Sequence, residues 1–164
     1  ISIIDFKDIL TKDTFGRVLT SPNAHPLKGG IANGKLVGGN LTLITNLIGT
    51  DYDIDFNDKL VFIEEVDEAP YRIDRMFAHL RLSGKLNSAK GFIIGHFTNC
   101  ESTDNTQTVD DILSEYLSDL QVPVITKFAS GHEFPFLNIP IGVEAILDAD
   151  KCEIKINGEL YENN

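Results

Sequence analysis

The chain has 164 residues, 42% of them hydrophobic, and its 25 acids against 14 bases give a net charge of −11. A chain this long buries roughly two thirds of its unfolded surface, enough for one domain whose core needs no disulfide or metal. The acidic balance, uninterrupted by any Lys/Arg cluster, argues against nucleic acid as a partner. Apolar runs such as residues 60–63 and 92–94 are far too short to cross a bilayer.

In chain order, residues 1–12 place Ile3, Phe6, Ile9 and Leu10 at helical spacing, which predicts a short helix or an ordered lead-in. Residues 15–19 read as a strand. Residues 21–39 hold two prolines and five glycines, the mark of turns and close backbone passages. Gly38-Gly39-Asn40 then opens a helix at Leu41, with Asn40 as its N-cap and Gly49 as its stop. Residues 51–56 alternate acid and apolar side chains and read as a strand; Asn57-Asp58 turns the chain, and residues 59–63 return as a buried strand. A helix follows over residues 71–84, a strand between glycines over 89–97, and an amphipathic helix over 109–120. Residues 122–125 lead as a strand towards Ser130-Gly131-His132, and strands over 139–147 and 151–156 close the chain. Strands with two or three helices mixed in, without a regular βαβ alternation, predict an α+β domain.

Two fragments carry chemistry. Phe62-Ile63-Glu64-Glu65-Val66 ends an apolar run in carboxylates, and Ala129-Ser130-Gly131-His132 sets a histidine behind a small, flexible turn. A carboxylate and an imidazole are the orienter and base of acyl transfer, with histidine titrating near working pH. Such a pair needs a nucleophile, and the sequence has no Gly-x-Ser turn to present one. On these residues alone, His132 reads first as a turn or surface residue and Glu64 as a solvated strand-edge acid. Strand alternation allows only one of Glu64 and Glu65 to face the histidine. Ser130, two residues from His132, reads as a loop hydrogen-bonder. Arg72 and Arg75, at i and i+3 on a helix, read as partners of Asp67, Glu68 or Asp74 rather than as a carboxylate clamp. His96, Cys100 and Glu101 lack a second Cys/His pair for zinc. The aspartates 51, 53, 55 and 58 lack the glycine and glutamate of a calcium loop.

Taken in order, Gly38-Gly39-Asn40-Leu41, Phe62-Ile63-Glu64-Glu65-Val66, Tyr71-Arg72-Ile73-Asp74-Arg75, Gly95-x-Phe97-Thr98-x-Cys100 and Ser130-Gly131-His132 resemble the C-terminal domain of the LD-carboxypeptidase (muramoyltetrapeptide carboxypeptidase) family of serine peptidases. The resemblance implies a β/β/α swivelling-type domain over residues 29–164, with residues 1–28 as a lead-in or interdomain segment. It places the triad glutamate on Glu64 and the histidine on His132. The nucleophilic serine would lie on an N-terminal α/β domain, so a chain that opens on Ile1 is expected to be a fragment, inactive alone. The implied activity is removal of a terminal D-amino acid, typically D-alanine, from murein-derived peptides in the bacterial cytoplasm. Implied partners are that peptide, the N-terminal domain and a second copy in a homodimer, with no cofactor, metal, membrane or nucleic acid. A microcin-immunity activity on peptide-nucleotides is the alternative within the family, and a non-catalytic binding module the alternative outside it.

Overall fold

The structure, a computed structural model, describes residues 15–101, 107–134 and 136–158, so the helix or lead-in expected over residues 1–12 lies outside the described residues. Eight strands, β1 (Val18–Thr20), β2 (His25–Lys28), β3 (Ile31–Asn40), β4 (Leu60–Val66), β5 (Gly91–Thr98), β6 (Val124–Thr126), β7 (Glu144–Asp148) and β8 (Glu153–Ile156), form one mixed sheet. Their order is β1-β8-β7-β3-β4-β5-β6-β2. The helices are α1 (Leu41–Asn46), α2 (Pro70–Leu82), α3 (Lys85–Ser88) and α4 (Val109–Leu117). The domain is mixed α and β, and its middle does alternate: β3, β4, β5 and β6 are mutually parallel, joined through α1, through α2 and α3, and through α4. The antiparallel strands stand at the two edges.

Burial explains the sequence pattern. Parallel strands covered on both faces read as continuous apolar runs, and β4 is buried from Leu60 to Glu65. Its odd-numbered side chains Val61 and Ile63 meet Ile73, Phe77, Leu80, Ile112 and Leu117 on the helix side. Its even-numbered Leu60 and Phe62 join Leu147, Ile154 and Ile156 of the antiparallel strands in a second core. The antiparallel half therefore curls over the other face of the parallel half, close enough that a Cβ on Gly91 would lie 3.1 Å from Leu147 Cδ2.

Two stretches depart from the sequence reading. Residues 21–39 were expected to be turns; instead they contain β2 and all but the last residue of the ten-residue β3. The glycines of β3 serve close approach rather than chain reversal. A Cβ on Gly34 would stand 2.8 Å from the Asp58 carbonyl oxygen, and one on Gly38, at φ +118°, would collide with the backbone of Phe62. Residues 51–56 were expected to be a strand and are not one. Their alternation comes from local side-chain bonding, which competes with a ladder. Asp53 accepts from Gly49 N–H (3.2 Å) and pairs with Lys85 (2.7 Å), Asp55 accepts from Asn57 N–H (2.9 Å) and pairs with Lys59, and Phe56 turns into the core. Both β1 and β2 lie within the stretch 1–28, and they pair with β8 and β6 as edge strands of the same sheet.

Candidate active site

The site forms where β4 ends. Two acids follow one another there, and a strand sends successive side chains to opposite faces. Glu65 turns to the helix side, 2% exposed, and is enclosed by four donors. Asn40 Nδ2 (2.6 Å), Thr42 N–H (2.8 Å), Thr42 Oγ1 (2.7 Å) and Val66 N–H (2.9 Å) all donate to its carboxylate. Asn40 meanwhile caps α1 as the sequence predicts, its side chain accepting from Leu43 N–H at 3.1 Å. Glu64 turns the other way, onto the face of Phe62. Only 5% exposed, its Oε2 stands 2.7 Å from His132 Nδ1.

His132 arrives on the irregular chain that continues β6. Gly131 adopts φ +137°, and a Cβ there would lie 3.2 Å from Glu64 Oε2 and 3.4 Å from Glu64 Cβ. A glycine at this position lets the loop pass against the acid. The acid is sunk in the protein while the imidazole is 55% exposed, so one end of the pair is fixed and the other faces solvent. A carboxylate at Nδ1 selects the Nδ1–H tautomer and leaves Nε2 as the nitrogen that exchanges a proton.

Around the pair opens a cleft of about 390 Å³, lined by Gly39, Phe62, Ser130, Phe136, Ile139 and Ile141 among others. The sequence reading named none of these as cleft residues, Ser130 being read as a loop hydrogen-bonder. Gly39 and Phe62 come from β3 and β4, and the only signal for Phe136, Ile139 and Ile141 was apolar residues in a segment that forms no regular element. Ser130 is buried, and its carbonyl accepts from His96 N–H at 2.8 Å, a structural role. Arg72 reaches Glu68 (3.5 Å) and donates from Nε to Tyr71 Oη (3.1 Å), whereas Arg75 lies over the Tyr71 ring at 5.2 Å. Asp74, read as an arginine partner, instead accepts from Tyr116 Oη at 2.9 Å. His96 lines a separate cleft of about 600 Å³ on the far side of the His132 loop, with Cys100, Asp110, Lys127 and Glu133. Burial pushes the Cys100 thiol up, and no group of three or more His, Cys, Asp and Glu among the described residues is arranged to hold a metal ion. No helix among the described residues is long and apolar enough to cross a membrane.

A family model described as the LD-carboxypeptidase C-terminal domain matches residues 33–147. The chain belongs to that family. The probable murein peptide carboxypeptidase of Bacillus subtilis (strain 168) is 40% identical to this LD-carboxypeptidase domain over 128 residues, covering 76% of this chain and 40% of that protein. Among solved structures, the muramoyltetrapeptide carboxypeptidase from Oxalobacter formigenes superimposes with a TM-score of 0.81 at 28% identity, over 98% of this chain and 55% of that one. The microcin C7 self immunity protein MccF in its wild-type apo state shares the fold, with a TM-score of 0.87 at 23% identity over 98% of this chain. The domain thus spans about two fifths of that curated relative and a little over half of that carboxypeptidase structure.

Proposed function

We propose that this LD-carboxypeptidase domain is the base-bearing half of a serine hydrolase, with Glu64 and His132 as two members of a triad whose serine comes from an N-terminal domain of the longer protein. The observation that carries the reading is the 2.7 Å contact between a buried carboxylate and a solvent-facing imidazole in a cleft. In this scheme His132 Nε2 takes the proton of the serine hydroxyl as its oxygen attacks the carbonyl carbon. Glu64 holds the ring and stabilises the imidazolium, an interaction strengthened by the low dielectric around a buried acid. His132 then returns the proton to the departing amine. Water, deprotonated by the same ring, releases the shortened peptide from the serine.

The substrate we assign is a murein-derived peptide ending in D-alanine, processed in the bacterial cytoplasm, with the protein working as a homodimer. The 40% identity with a probable murein peptide carboxypeptidase favours this substrate over a microcin-type peptide-nucleotide, since the Escherichia coli microcin C7 self-immunity protein stands at 28%. The test is D-alanine release from a synthetic tetrapeptide by the full-length protein. The wild type should release it, and His132→Ala should lower turnover by about 10⁴ or more. Undiminished release by that variant would remove His132 from the mechanism. Turnover of a peptide-nucleotide without D-alanine release would reassign the substrate.

A further inference from the structure

We propose that Ser21 and Gly95 are positioning residues for His132, acting through the backbone of the loop that carries it. The proposal rests on the reading of Glu64 and His132 as a working pair. His132 is half exposed on an irregular segment, so its place against Glu64 depends on how residues 128–131 are held. They are gripped from two sides. From β5, Phe128 N–H donates to the Ile94 carbonyl at 3.0 Å, and the Ser130 carbonyl accepts from His96 N–H at 2.8 Å. From the turn after β1, buried Ser21 Oγ accepts from Ala129 N–H at 3.0 Å.

The grip from β5 depends on a bulge. Ile63 stands opposite Ile94 and Glu65 opposite Phe97, so Gly95 and His96 together face Glu64 alone. Such an extra residue bends a strand and re-aims its amides, and here the His96 N–H meets the histidine loop instead of the next strand residue. Gly95 is what permits the approach. A Cβ there would collide with the Ser130 carbonyl oxygen and come within 2.8 Å of the Phe62 ring, whose other neighbours fill the second core. Neither partner is a flexible side-chain tip, so the loop would have to retreat, taking His132 with it. Ser21 acts from the opposite side. Its removal leaves the Ala129 N–H without its partner, at a cost that favours an altered loop. Ser21 also lies upstream of residue 33, where the family match begins.

The test reads the imidazole directly. Long-range 1H–15N NMR of this chain reports which ring nitrogen of His132 carries the proton. The wild type is expected to show the Nδ1–H tautomer at His132. Ser21→Ala and Gly95→Ala are expected to give a mixture of tautomers, whereas Ile93→Val, a core trim on the same strand, keeps the single form. In the full-length protein, Ser21→Ala should lower kcat about ten- to a hundredfold with KM nearly unchanged, the size of effect a small misplacement of a reacting group produces. Should Gly95→Ala not fold, Ser21→Ala decides alone. A Ser21→Ala protein that keeps the pure Nδ1–H tautomer and the wild-type kcat overturns the proposal. A mixed tautomer in that variant, in a protein whose wild type turns over neither the tetrapeptide nor a peptide-nucleotide, supports the clamp and overturns the hydrolase instead.

Discussion

Glu64 and Glu65 are adjacent in sequence and both buried, yet their surroundings give them opposite tasks. Glu65 collects four hydrogen bonds and ties the start of α1 to the end of β4. Glu64 spends its Oε2 on an exposed imidazole. Glu65→Ala should therefore destabilise the chain by about 3 kcal/mol or more, read from urea unfolding, because several buried donors lose a charged acceptor. Glu64→Gln should change stability by less than about 1 kcal/mol while lowering turnover of the full-length protein by about 10⁴. Equal unfolding midpoints for the two variants would contradict this division. The sequence showed that only one of the acids could face the histidine, but a period of two carries no sign. What fixes the sign is Asn40 and Thr42, more than twenty residues upstream, and their reach to Glu65 exists only once β3 and β4 have paired.

At the scale of elements, the apolar pattern was a good guide wherever an element has one wet face or none. The amphipathic spacing of α2 and α4 and the apolar run of β4 were legible because burial dictates them. The spacing failed at β3, whose glycines resemble turn formers, and at residues 51–56, where two aspartates bond their own neighbourhood. The packing of α4 on α2 offers a titratable reporter. Tyr116 stacks on Phe77 with ring centroids 5.7 Å apart, donates to Asp74, and has the Arg81 guanidinium 4.2 Å above its ring. Burial, reinforced by the Asp74 bond, pushes its hydroxyl up to about 12. An acid whose pKa is raised by folding binds its proton more tightly in the native state, so its contribution is complete below about pH 10 and is lost as pH climbs towards 12. Tyrosinate absorbance at 295 nm should show a late step in the folded chain, and Tyr116→Phe should remove it.

Across the whole molecule, the Glu64–His132 cleft is rimmed by apolar side chains. Phe134 and Ile141 are exposed, Phe134 meets Phe136 edge-on with centroids 5.3 Å apart, and Leu137 and Ile139 continue the rim. Under the proposed function this rim is where the serine-bearing domain would close. The chain alone should then bind a hydrophobic dye and self-associate, and Phe134→Ser with Ile141→Ser should reduce both without lowering Tm appreciably. Equal dye binding by the full-length protein would argue that nothing covers the rim.

Strand β3 lends its first half, Ile31 to Lys35, to antiparallel β7 and its second half, Leu36 to Asn40, to parallel β4. One uninterrupted stretch of backbone is thus common property of both halves of the sheet, and neither half can melt while the other keeps its ladder along that stretch. Amide hydrogen exchange should find the interior of β3 opening only with global unfolding, so that the antiparallel and parallel regions lose protection at a single free energy rather than as separate cooperative units.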